Sequence, residues 1–350
     1  MINDLIKGQF FQDLVKRSQG IKKNVAFSDG NDIRLIKALN YFSKINDSNF
    51  ILIGNEKEII EKIKEVKLKK TDNISIIDPN TSKRKSQIRQ IIKDSFAKKN
   101  KAINDEQLEL ISLNTSYWAS ILLKLNEADC AIGGSISSTA DLIRAVINIL
   151  GLKEGKKYLS GAAFVEVPDC QFGLNGKFCL SDPAIIPKPT EDQLFDMAIS
   201  SYETAKSVFN EEPIVAMLSY STKGSADGEE IEKIRNVVEK VKKQRPEIKI
   251  DGELQFDAAV VPYVAKIKVP SSIVAGHANV LIFPDLNSAN ICYKVIQRLA
   301  KAEVCGTVVQ GAAKPFNDLS RGCLVSDIIT LIAMTLLQTC YDSSSKKGLI

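Results

Sequence analysis

Short runs of β-branched and aromatic residues alternate along this chain with stretches in which apolar side chains recur every three or four positions. Residues 25–27, 50–53, 74–77 and 130–132 have the compact apolar character of buried strands. Between them, residues 56–67 place Ile59, Ile60, Ile63 and Val66 at helical spacing with charges in the gaps, which predicts an amphipathic helix with a solvated outer face. Strands alternating with helices predict an α/β fold with parallel strands.

The rhythm breaks over residues 151–189, where Gly151, Gly155, Gly161, Gly173 and Gly176, with Pro168, Pro183, Pro187 and Pro189, interrupt short strand-like runs. Such punctuation marks a crossover between domains. Beyond it, Thr190 and Gln193 form a T-x-x-Q capping box ahead of a face made by Leu194, Met197, Ala198, Tyr202, Ala205 and Phe209. A strand is predicted over 214–218. Ile231, Ile234, Val237, Val238 and Val241 then mark a helix with acids in its first turn and lysines in its last, matching the helix dipole. A strand over 280–283 precedes a helix capped near Asn287, and a strand over 304–309 precedes a long polar loop. The pattern predicts two α/β domains with a cleft between them.

Composition narrows the class. The 350 residues carry 44% hydrophobic side chains, enough to bury one large or two medium cores, so disordered, fibrous and disulfide-framework readings are excluded. The net charge of +5 is too dilute to imply a nucleic-acid partner without a concentrated patch. Seven cysteines with no C-x-x-C pair read as reduced thiols in a reducing compartment. One histidine, His277, and no Cys/His cluster leave little material for a zinc site, and no metal is expected. Asp4, Lys7, Asp13, Lys16 and Arg17 interrupt any signal-peptide core, and the uncharged apolar run over 328–337 is about half of a membrane span, suiting a buried helix. A cytoplasmic protein with no membrane partner is expected.

The densest polar constellation runs from Gln310 to Asp327, between a predicted strand and the apolar helix. Ligands of open α/β sheets sit at the carboxyl ends of strands. Ser320 supplies a hydroxyl there, Arg321 a planar fork for carboxylate or phosphate, and Asp327 a possible base. From spacing alone the segment also reads as capping chemistry, with Asn317 and Ser326 as caps, Asp327 at a helix start and Arg321 paired with Asp318. A second loop, Ser219 to Gly228, is rich in hydroxyls and glycine and could present N–H groups to an anion or simply cap a helix; its order is not that of a P-loop. A third, Gly133 to Arg144, opens with Gly-Gly and lets a ligand approach the backbone, but no dinucleotide fingerprint occurs. Between Lys83 and Lys101 eight basic residues face one acid, Asp94, which suits either a solvated helix face or a phosphate-rich ligand. Cys170 and His277 read as a buried thiol and a structural hydrogen-bonding group, or as chemical groups if partners surround them.

Taken together, Glu166-Val-Pro-Asp169, Met217-Leu-Ser-Tyr-Ser-Thr-Lys-Gly-Ser-Ala226, Asp251-Gly-Glu-Leu-Gln-Phe-Asp-Ala258, Ala278-Asn-Val-Leu-Ile-Phe-Pro-Asp-Leu286 and Lys314-Pro-Phe-Asn-Asp-Leu-Ser-Arg-Gly322 resemble the phosphate acetyltransferase and butyryltransferase family. The resemblance implies reversible transfer of an acetyl group between coenzyme A and inorganic phosphate through a ternary complex, with coenzyme A as a substrate and no cofactor or metal. It implies Ser320, Arg321 and Asp327 as catalytic positions, with Arg321 on phosphate, Ser320 on the tetrahedral oxyanion and Asp327 as base for the thiol. It further implies Arg144 in coenzyme A binding, Cys170 near the site without being the nucleophile, and Lys98 where the family has a coenzyme A arginine. Ser219, Ser221, Thr222, Lys223, Gly224 and Asn317 complete the expected substrate-binding set. The implied architecture is isocitrate/isopropylmalate dehydrogenase-like, with residues 1–153 plus 308–350 in the first domain and 154–307 in the second, the latter carrying a homodimer interface. Transfer of a longer acyl group, as by a phosphate butyryltransferase, and a non-catalytic acyl-coenzyme A sensor are the alternatives. A free thiol near pKa 8.5 and an aspartate near 3.9 differ by roughly 4.6 units, about 6 kcal/mol, so a base role demands a partly desolvated Asp327 or concerted proton removal.

Overall fold

The computed structural model describes residues 5–344, with side chains described to Cys340. Contacts divide the chain into two compact units, one built from the chain up to Glu154 with the segment from Ala312 onward, the other from Gly155–Gly311. The second boundary falls at 311/312 rather than 307/308 because the strand there runs on, pairing Val308, Val309 and Gln310 with Ala162, Gly161 and Ser160.

The first unit opens with α1 (Gln9–Ser18), β1 (Asn24–Phe27), α2 (Ile33–Phe42), β2 (Asn49–Ile53), α3 (Glu56–Val66) and β3 (Ile74–Ile77). There follow α4 (Lys85–Ala97), α5 (Asp105–Leu113), α6 (Thr115–Lys124), β4 (Cys130–Gly133) and α7 (Thr139–Ala145), the last running into a π turn, Val146–Leu150. The second unit contains β5 (Ser160–Glu166), β6 (Lys177–Ser181), α8 (Glu191–Val208), β7 (Ile214–Leu218), α9 (Glu229–Gln244) and β8 (Lys249–Leu254). It continues through α10 (Phe256–Val260), α11 (Pro262–Lys268), β9 (Val280–Ile282), α12 (Leu286–Leu299) and β10 (Glu303–Gln310). The chain then returns to the first unit as β11 (Phe316–Asp318) and α13 (Val325–Ser344).

The first sheet is parallel throughout, in the order β11-β4-β1-β2-β3. Its core is aromatic, with Phe50 packed at 6.2 and 6.4 Å from Phe27 and Phe42 and Trp118 fully buried. The apolar run at 328–337 forms α13, whose Ile328, Ile329, Leu331, Ile332 and Leu336 are buried and which packs on α1, α2, β4 and β11. The second sheet has the order β10-β5-β6-β9-β7-β8, antiparallel at its β10-β5-β6 edge and parallel beyond. Val165, Leu180, Ala216 and Leu281 carry its core.

The Thr190/Gln193 capping box forms as the spacing predicts, each side chain bonding the other's backbone N–H. The later helix is capped by Asp285, which accepts from Ser288 N–H at 2.8 Å, two residues before the expected Asn287. The polar segment after residue 310 also contains a strand, β11, which pairs with β4 in parallel. Among the described residues no helix is long and apolar enough to cross a membrane.

Candidate active site

In the first unit β1 leads to β2 and β3 on one side, while β4 and β11 lie on the other. The carboxyl ends of β1 and β4 therefore meet where the winding reverses, which is where open α/β sheets bind ligands. Three segments leave the sheet there: residues 28–32 after β1, 134–138 after β4 and 319–324 after β11.

Arg34, at the start of α2, ties the three together. Its Nε and Nη2 donate to the Asp32 carboxylate at 2.7–3.2 Å, and Nη2 also donates to the Ser135 carbonyl at 2.8 Å. Its Nη1 donates to the carbonyls of Arg321 and Cys323 at 2.8 and 2.9 Å. Burial would raise the Asp32 carboxyl, but the Arg34 guanidinium, a backbone N–H and Ser135 outweigh it and hold the group below the usual carboxylate range. Burial pushes the Cys323 thiol up to about 11 against the pull of Arg34, which makes it a poor nucleophile at neutral pH.

The clamp acts on the backbone of Arg321 and leaves its side chain exposed, with no hydrogen bond or ion pair for the guanidinium among the described residues. Ser320 is also exposed, and among the described residues its Oγ accepts only the Gly322 N–H, at 3.3 Å. A serine hydroxyl and a guanidinium fork on one pinned turn can hold an oxyanion and a phosphate. Asp327 sits in the first turn of α13, where Oδ2 accepts from Leu324 N–H at 2.9 Å and Oδ1 lies 3.4 Å from Ser326 Oγ. It is half-buried rather than enclosed. Arg321 does not pair with Asp318, whose bonds run instead to Thr139.

Further along the same unit, Arg144 is exposed on α7 and pairs with Asp141 at 2.6 Å. Lys98, at the end of α4, is exposed with no partner among the described residues. Its neighbours bind the turn that follows α7: Lys99 donates to the Ile147 carbonyl and Lys101 to Asn148 Oδ1 at 2.9 Å. Asn148 in turn donates to the Tyr117 hydroxyl at 3.0 Å. Lys124 joins this group, since burial first and then the charges of Lys98 and Lys99 lower its ammonium. The rest of the basic run is largely spent internally, Arg84 on Glu127 and Lys85 and Arg89 on Glu109.

Two expected binding elements have other work. Asn317 is fully buried, donating to Thr335 Oγ1 at 2.8 Å and Gln338 Oε1 at 2.6 Å, so it fastens α13 to β11. In the second unit, the loop after β7 folds around a carboxylate of its own. Glu253, 1% exposed, accepts from Gly224 N–H at 2.8 Å, Ser221 Oγ at 3.2 Å and the Arg235 guanidinium at 3.1 Å. Burial opposes its charge, yet the Arg235 and Gly224 bonds hold it down to about 2. Thr222 exchanges hydrogen bonds with Gln255, and Lys223 Nζ donates to Asp251 at 2.5 Å and the Gly252 carbonyl at 2.8 Å. The loop's donors thus serve Glu253 and Asp251. Ser219 Oγ accepts from Ser221 N–H at 3.2 Å, and Ser219 also lines a recess of about 280 Å³ with Tyr220, Lys188 and Lys233. Cys170 is half-buried against the apolar core of the second unit, and His277 is exposed. Among the described residues no three His, Cys, Asp or Glu side chains gather as a metal site.

Asp29, Arg34 and Thr139 do not stand out in the sequence, and Asp318 reads there only as a partner for Arg321. A signal was present: Ser28-Asp-Gly-Asn-Asp32 directly follows a predicted strand, the position already used to pick out the other two loops.

Fold and site together define an α/β protein that carries an exposed guanidinium and hydroxyl at the carboxyl edge of a parallel sheet. The family model described as phosphate acetyl/butaryl transferase matches residues 9–336, and the chain belongs to that family. It is 42% identical over 318 residues to the phosphate acetyltransferase of Clostridium acetobutylicum, covering 91% of this chain and 94% of that one. Among solved structures it is similar to a phosphotransacetylase from Streptococcus pyogenes, with a TM-score of 0.85 and 34% identity over 95% of this chain and 98% of that one. It also shares its fold with 4-hydroxythreonine-4-phosphate dehydrogenase from Klebsiella pneumoniae, at a TM-score of 0.51 and 9% identity over 91% and 100% of the two chains. The dehydrogenase-like architecture expected from sequence is therefore present.

Proposed function

We propose that the protein is a phosphate acetyltransferase, interconverting acetyl-coenzyme A and phosphate with coenzyme A and acetyl phosphate. The observation that carries this reading is the Arg321 guanidinium, unpaired among the described residues and held on a turn whose carbonyls Arg34 clamps. In the acetyl phosphate direction the coenzyme A sulfur attacks the acetyl carbon, the carbon–sulfur bond forms, and phosphate leaves with the electrons of the carbon–oxygen bond. Arg321 binds the phosphate, Ser320 donates to the tetrahedral oxyanion, and Asp327 takes the thiol proton as the new bond forms. That timing needs no free thiolate beforehand. Lys98 and Arg144, with Lys99, Lys101 and Lys124 alongside, offer positive charge to the phosphates of coenzyme A.

The protein acts as a homodimer in this reading. On α12 only Ala289 is buried, while Ile291, Val295 and Leu299 line one face at 62, 47 and 80% exposure. Tyr263, Ile267 and Ile273 of the same unit are also exposed, more apolar surface than a monomer usually leaves wet.

The test is thioester formation from acetyl phosphate and coenzyme A. Wild-type protein turns over, and Arg321→Ala loses about a hundredfold or more in kcat while raising the KM for phosphate in the reverse direction. Wild-type protein without acetyl transfer rejects the function. An Asp327→Asn variant at full rate rejects the base assignment alone.

A further inference from the structure

Asp318 ends β11 two residues before Ser320, and only 3% of it is exposed. Its Oδ2 accepts from Thr139 Oγ1 at 2.6 Å, whereas its Oδ1 is buried with no partner among the described residues. Oδ1 rests against Gly134, a residue at φ 86°: a Cβ added there would lie 2.0 Å from it and 2.6 Å from the Leu319 carbonyl oxygen. The next link is main-chain, Leu319 N–H donating to the Gly133 carbonyl at 2.7 Å. Asp318 therefore joins the loop after β4 to the turn that carries Ser320 and Arg321.

Ionisation would be costly in this place. A charged Oδ1 would have no donor, and a buried carboxylate without donors is strongly disfavoured. The charged neighbour acting on it is Asp29, itself buried and supplied with donors by Ser135, Ile136 and Ser137. The elements packed on Asp318 bring no cation to offset this. β4 has no charged residue, Asp141 and Arg144 of α7 pair with each other, Asp327 of α13 is bonded to Leu324, and Arg34 is spent on Asp32 and three carbonyls. Burial first, and the charge of Asp29, push the Asp318 carboxyl up to about 7 against the Thr139 bond.

We propose that Asp318 is a positioning residue for acyl transfer: its neutral carboxyl group holds the Ser320–Arg321 turn against the loop after β4, and its ionisation loosens that turn. The reaction then has an alkaline limit separate from the coenzyme A thiol. This rests on the reading of Ser320 and Arg321 as the reacting turn.

The experiment compares wild type, Asp318→Asn and Thr139→Val in steady-state turnover of acetyl phosphate and coenzyme A from pH 6 to 9, with melting temperatures at both ends. Ionisations shared by the enzymes cancel in the ratio of Asp318→Asn to wild-type kcat. That ratio is expected to rise about tenfold across the range, with KM values little changed, because the amide cannot ionise. Thr139→Val removes a donor that favours the charged form, so its alkaline limb moves to higher pH. The asparagine variant's gain in melting temperature over wild type is also expected to be larger at pH 9 than at pH 6, because the carboxyl's stabilisation is lost progressively as pH rises from its unfolded to its folded value. An active wild type with a flat ratio and an unmoved Thr139→Val limb overturns the proposal while leaving the function intact. An inactive wild type overturns the function and the positioning role with it, and the melting comparison then reports the state of the carboxyl alone.

Discussion

Arg34 carries more of the site than its place in the sequence suggests. It neutralises Asp32 and donates to the carbonyls of Ser135, Arg321 and Cys323. Arg34→Ala leaves a buried carboxylate unpaired, and about 3 kcal/mol of stability is expected to go with it, read by urea denaturation. Turnover should fall as well, since the Arg321 backbone loses its anchor. Arg34→Lys restores the charge without the fork, and recovers stability more fully than kcat. Ser320 and Arg321 were prominent in the sequence because a short string carries them together. Arg34 and Asp318 were not, because their meaning depends on β11 lying beside β4, and nothing local announces that pairing. Asn317 shows the converse: a polar residue within the right string is buried because β11 is buried at all three positions and α13 covers Asn317, supplying Thr335 and Gln338 as its acceptors.

At the scale of elements, hydrophobic period located the longer strands and helices, and capping residues located some of their ends. Thr190→Ala should remove both bonds of the capping box and cost about 1 kcal/mol, measured by the same denaturation. Strand β11 escaped because three residues, Phe-Asn-Asp, show no alternation and little β-propensity. The loop after β7 reads from sequence as an anion cradle or a plain helix cap, and in the fold its donors turn to a carboxylate of the chain itself. That carboxylate is Glu253, supplied by β8, a strand whose Gly and acidic residues hid it. The outer face of α12 makes a separate prediction. If this face forms the proposed homodimer, wild type sediments as a dimer and Val295→Asp together with Leu299→Asp as a monomer at equilibrium, with the melting temperature of each unit's core little altered.

For the whole molecule, buried carboxylates set opposite pH slopes. Glu253 is held to about 2, so the stability it contributes is present above its unfolded value near 4.5 and is lost as pH falls towards 2. Asp182 and Asp318 are raised to about 6 and 7, mainly by burial, so their contribution is complete below about 4 and lost as pH rises through those values. The urea midpoint is therefore expected to peak near pH 5 and decline on both sides, and Glu253→Gln should flatten the acid side only. A midpoint that climbs steadily to pH 8 would contradict this.

The first unit is also interrupted in sequence. Its edge strand β11 and its covering helix α13 are encoded after the whole of Gly155–Gly311. A ribosome delivers the amino-terminal strands first, so the growing polypeptide must wait with β4 uncapped on one side while another complete globule is translated. A nascent chain arrested near Gly311 should therefore mature one half and leave the other open to chaperones and proteases, so that the Ser320–Arg321 turn is assembled only after the whole intervening globule has been made.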